Sequence, residues 1–179
     1  MLSLTLLRST TTTTYNMARP PKVDTALMVQ HFVGDTVLLM RHQSADVRVL
    51  RIPVEPAPAS RPKMGKYGAY YSKSHQTFRT NAQPYCDAFD IKSHPPILEG
   101  PITVLVEVVC TRPKYGRLLA PRGDVDNFVK IPLDNMTKSG NFWTDDMQIL
   151  ILHTAKRYTV GDEKPGVNVH WHKLEEPNA

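Results

Sequence analysis

Asp124 and Asp126 stand two residues apart, Lys130 follows four residues after the second, and Asp134 four after that. A turn signal, Lys138-Ser139-Gly140-Asn141, then leads into Phe142-Trp143-Thr144-Asp145-Asp146. In extended backbone, alternate residues point to the same side, so the D-x-D spacing lets two carboxylates share one cation. Asp126 also suits the N-cap of a helix, with Lys130 one turn above it. Carboxylates repel a phosphodiester unless a divalent cation stands between them, and hard oxygen donors select Mg²⁺ or Mn²⁺. Such an ion supplies an activated water and charge stabilisation at phosphorus. Lys130 fits as a cation facing the transferring phosphate or the leaving oxygen. Taken alone, D-x-D is equally the mark of an N-cap aspartate, a turn pair and surface ion pairs.

The elements that must hold these groups are short and proline-punctuated. Residues 47–54 alternate apolar and basic side chains as a half-buried strand does. The β-branched run at 102–110 reads as a buried strand, 147–158 as another, and 167–171 as a short alternating one. A helix is expected from Asp126, with Pro132 a possible kink point and Gly140 its stop. Ahead of the core, residues 25–42 place two apolar stretches around Gly34-Asp35, which suggests a hairpin.

Two loops carry cations and no acid at all. Residues 56–86 hold Arg61, Lys63, Lys66, Lys73 and Arg79, with Tyr67, Tyr70, Tyr71 and Phe78 interleaved and one helix expected over 74–85. Residues 111–123 hold Arg112, Lys114, Arg117 and Arg122. Cations with aromatic interleaving suit a phosphate backbone and exposed bases, whereas a solvated basic loop would not exclude acids so completely. The expectation is a set of carboxylates meeting beneath two cationic loops.

The string Asp124-Val125-Asp126-Asn127, then Lys130, Asp134 and the aromatic-x-Asp145-Asp146 turn, resembles the RusA family of Holliday-junction resolvases. The likeness runs from Val47 to Tyr158, is tightest from Arg122 to Lys156, and includes the proline- and arginine-rich segment after Ile52. It implies a small mixed sheet with helices packed against it, an α/β (α+β) fold. It implies that Asp124, Asp126 and Asp146 are metal-binding catalytic aspartates and that Lys130 is the catalytic lysine. Asn127 then orients the acids, Asp145 takes a secondary role, and Lys156 matches the family lysine that ends the strand, counted here among the DNA-binding cations. Members are Mg²⁺-dependent homodimers that nick opposed strands of four-way junctions in DNA recombination and repair. The alternative is a DNA-binding protein that keeps the fold without turnover. The turn between Lys138 and Trp143 carries one extra residue relative to the family pattern.

With 179 residues, the chain suits one main domain. We divide it into an N-terminal extension, residues 1–46, partly disordered, and an endonuclease domain, residues 47–174. No apolar run is long enough to cross a membrane as a helix. Residues 1–16 lack acids and are rich in threonine, which fits a plain leader or, alternatively, a mitochondrial presequence; Met17 is an alternative start. The expected location is cytoplasmic, on DNA. Two cysteines, Cys86 and Cys110, read as inert packed thiols. His170 and His172 read as surface histidines, and Phe142 and Trp143 as core beside the acid pair.

Overall fold

In a computed structural model, residues 25–115 and 118–174 are described. The leader at 1–16, Met17, Arg117 and the tail from Glu175 lie outside the described residues. In chain order the elements are α1 (Thr25–Gln43), β1 (Arg48–Ile52), β2 (Lys63–Gly65), β3 (Gly68–Tyr70), α2 (Lys73–Asp87), β4 (Ile102–Cys110), α3 (Val125–Ser139) and, after a 3₁₀ turn (Asp146–Gln148), β5 (Ile149–Tyr158) and β6 (Gly166–Lys173).

All residues of β4 are buried, as an uninterrupted β-branched run requires when both faces are covered. It pairs in parallel with β5 and antiparallel with β6, and β1 adds antiparallel to β6, giving the order β1-β6-β4-β5. This is a mixed sheet with helices, the expected α+β class. One face carries Val104, Val106 and Val108 into a core built with Phe78, Phe128, Ile131, Met136, Trp143 and Trp171. Helices α2 and α3 cover that face. The α2 stripe of His75, Phe78, Ala82 and Cys86 is buried at helical spacing.

The opposite face corrects one expectation. Residues 25–43 form a helix, not a hairpin. Ala26, Val33, Thr36 and Met40 are its buried positions, a helical stripe. Val33 and Met40 pack with Leu105 and Ala155. Gly34-Asp35 lacks the Asn-Gly or Asp-Gly order of a tight hairpin turn, and an uncovered sheet face selects the helix. Beneath this layer Arg157 donates from Nε to Glu107 and from both terminal nitrogens to Glu163, so the buried pair is fully hydrogen-bonded.

Candidate active site

Between β4 and β5 the chain makes a parallel crossover through α3. Such a connection starts its helix beyond the carboxyl ends of the strands and finishes beside their amino ends. The acids therefore fall into two groups.

The first group opens α3. Asp124 is the N-cap, in extended backbone, and its side chain makes no capping hydrogen bond. Asp126 lies in the first helical turn, so it is not the N-cap, and the helix begins two residues earlier than the sequence suggests. With one acid extended and the other helical, the same-side argument for D-x-D does not apply. Pro132 is accommodated within the continuous helix, and Gly140, in the left-handed conformation, ends it. The backbone ahead of Asp124 is held from several directions. Gly123 has φ of 100°, a region that favours glycine, and a Cβ there would meet the Phe128 ring at 3.2 Å. Lys156 donates from Nζ to the Pro121 carbonyl at 2.9 Å and to the Gly123 carbonyl, and lies 5.8 Å above the Phe128 ring. Tyr158 donates to the Ala120 carbonyl. Asn127 acts through its backbone, accepting from the Ala59 N–H at 2.6 Å. Its side chain makes no hydrogen bond to either aspartate among the described residues. An open cleft of about 620 Å³, lined by Tyr115, Pro121, Arg122, Phe128 and Tyr158 among others, adjoins this loop.

The second group sits at the other end of the layer. Phe142 and Trp143 are fully buried, as expected, and Trp143 Nε1 donates to Thr137 near the end of α3. Asp145 accepts from the Met147 N–H at 2.8 Å, while Gln148 accepts from the Asp145 N–H, forming a capping box for the 3₁₀ turn. That internal duty separates Asp145 from its neighbour. Asp146 is exposed, and its carboxylate has no hydrogen-bond partner among the described residues.

These two groups do not converge. Asp146 stands near enough to Asp134 to act on its carboxyl, and Asp134 lies about two helical turns on from Asp126. Among the described residues no group of three His, Cys, Asp or Glu side chains could hold a metal ion. What the structure brings together instead lies along α3 and α2. Partial burial lifts the Asp134 carboxyl above its ordinary value, Lys130 and Arg79 oppose the lift, and Asp146 adds to it. His75 faces the same charges. Burial depresses its pKa, Arg79 and Lys130 depress it further, and Asp134 counters.

Of the cations expected to meet DNA, Arg61, Lys63, Lys66, Lys73, Arg79, Lys114 and Arg122 are all exposed. Residues 61–70 form the exposed β2–β3 hairpin, a regular element where a loop was expected. Tyr67 at its tip is 95% exposed, with Lys66 Nζ 5.6 Å over its ring. The hairpin's base is fastened at His75, whose Nδ1 accepts from the Ser60 N–H and whose ring stacks on Tyr71 at 4.3 Å. Lys156 differs from the other cations. It is partly buried, and its ammonium sits on backbone carbonyls. His172 is buried and His170 partly so, because β6 is an inner strand rather than a surface one. Both cysteines are buried thiols pushed up to about 12 by that burial. Sequence reasoning missed Gly123 and His75; a glycine directly before D-x-D was the available signal for the first.

A family model described as the endodeoxyribonuclease RusA matches residues 53–170. A search of curated proteins found no match.

Proposed function

Because the chain belongs to the RusA endodeoxyribonuclease family, we propose that it is a Mg²⁺-dependent nuclease that resolves four-way DNA junctions by paired symmetric nicks. That reading places it in DNA recombination and repair. The observation that carries it is the state of the acids. The carboxylates of Asp124, Asp126 and Asp146 are exposed and make no hydrogen bond among the described residues, and the cations at 61–79 are exposed as well. Exposed carboxylate oxygens match the donor chemistry that Mg²⁺ takes, but the described residues of a single chain do not gather three of them at one point. A two-fold related copy can bring the Asp146 end of one chain to the Asp124 end of the other, and C₂ dimers are the commonest oligomers. Asp124 and Asp126 would then hold the ion with Asp146 of a second copy. When bound, it supplies an activated water and screens charge at the phosphorus. Lys130 faces the phosphate charge, and the hairpin cations hold the backbone in register.

Labelled four-way junction and linear duplex, incubated with and without Mg²⁺, test the reading. The expected result is nicking of the junction in Mg²⁺ alone, lost in Asp126→Asn while junction binding persists. Mixing inactive Asp124→Asn with inactive Asp146→Asn should restore nicking in the mixed dimer, because one of its two composite sites is intact. Binding without cutting by the wild type would leave the non-catalytic alternative standing.

A further inference from the structure

Lys156 lies on β5, opposite Val108 of β4, well along the strand from Asp146. An ammonium has three donors and no acceptor. Two of these go to the carbonyls of Pro121 and Gly123, which flank Arg122. Both carbonyls can meet one nitrogen only if the segment turns them inward, and Arg122 is accordingly exposed. Asp124 follows immediately. An N-cap aspartate ordinarily folds its carboxylate back onto the helix N–H groups, and Asp124 does not. Its placement is therefore fixed from the preceding backbone and not by its own side chain. Gly123, at φ 100° with the Phe128 ring and Pro58 packed against it, completes that support.

We propose that Lys156 is a positioning residue, holding the Pro121–Gly123 backbone so that the Asp124 carboxylate stays off its helix and available to the reaction. This rests on the nuclease reading of Asp124. It assigns Lys156 a duty that excludes the DNA contact its charge suggests. A shift of about 1 Å at a reacting group can cost about 10²-fold in rate, so small movements of this loop are enough to matter.

The test compares Lys156→Gln, Lys156→Arg and Gly123→Ala with Asp124→Asn, each checked for folding by circular dichroism. For Lys156→Gln the single-turnover rate on saturated junction should fall by about 10–10²-fold. Junction affinity and its salt dependence should stay as in the wild type. A lost phosphate contact would instead flatten the slope of log affinity against log salt by about 0.9. Lys156→Arg should stay impaired, since a planar guanidinium cannot take the ammonium's place between two carbonyls. Gly123→Ala strikes the same segment without touching the lysine and should share the phenotype. Independently of activity, the backbone NMR signals of Gly123 and Asp124 should shift and broaden in Lys156→Gln, with those of Asp146 unmoved. Unmoved Gly123 and Asp124 signals, or a flattened salt slope at an unchanged rate, would overturn the inference. An Asp124→Asn protein that cuts normally would instead overturn the nuclease assignment, leaving the NMR result to decide the positioning of the loop.

Discussion

The loop that delivers Asp124 and the hairpin at residues 61–70 are both rich in lysine, arginine and glycine, yet they are opposite kinds of surface. Ahead of Asp124, one lysine takes two carbonyls, a tyrosine takes a third, and a glycine is packed against an aromatic ring. In the hairpin every residue is exposed, and the ladder itself is three pairs long. A partly buried, partnered cation can order backbone; an exposed one is available to a polyanion. The same residue type is thus partnered by carbonyls in one region and open to solvent in the other.

The sharpest break in this comparison uses two adjacent acids. Asp146→Asn should reduce junction cutting to background with binding retained, because its carboxylate has no internal duty. Asp145→Asn should stay within about twofold of wild type, since asparagine caps a helical turn about as well as aspartate. Equal losses in a nicking assay would mean that the turn as a whole matters, and not the Asp146 charge.

Lys130 is next in size. As a group facing phosphate charge, its loss in Lys130→Ala should slow single-turnover cutting by about 10²–10³-fold. As a helix-surface cation near Asp134, it would contribute only about 0–1 kcal/mol and leave the rate alone. A rate within about threefold of wild type under saturation would place Lys130 with the structural cations and erase its catalytic role.

The hairpin should act on binding alone. Changing Arg61, Lys63 and Lys66 together to alanine should weaken junction affinity and flatten its salt slope by about three units if all three touch phosphate. The rate at saturation should hold. An unchanged slope would show that the hairpin faces solvent in the complex.

The smallest effect concerns the base of the hairpin. His75 accepts the Ser60 N–H, and burial holds its pKa below the ordinary 6.5, with Arg79, Lys130 and Asp134 the charges facing it. The unfolded chain therefore binds the proton more readily. The stability that neutral His75 contributes is complete above about pH 6.5 and is lost as pH falls from there through the folded value. His75→Phe should cost about 1–3 kcal/mol at neutral pH, by leaving the Ser60 N–H without its acceptor. It should also flatten the acid limb of a denaturation series, and an acid limb identical to wild type would remove His75 from that role.

Much of this protein was legible from local pattern. The run at 102–110 could only be a covered strand, because nine residues with one charge leave no face for water. Gly140 after a helical stretch likewise carries its meaning in adjacent residues. The motif around Asp124, Lys130 and Asp146 identified the family without any coordinates. Other features depended on partners far along the chain. Residues 25–43 form a helix whose Val33 and Met40 cover a sheet face lined by Leu105 and Ala155, and that covered face is not visible in the local sequence. Lys156 looked like one more surface cation until β5 carried it beneath the Pro121–Gly123 carbonyls. That no three carboxylates gather at one point among the described residues is likewise a property of the tertiary structure. Residue types and spacing determined which chemistry is present, since those are local properties of side chains. Only the tertiary structure decided which charges are held and which are free, because burial and hydrogen-bond partners exist only once distant strands have met.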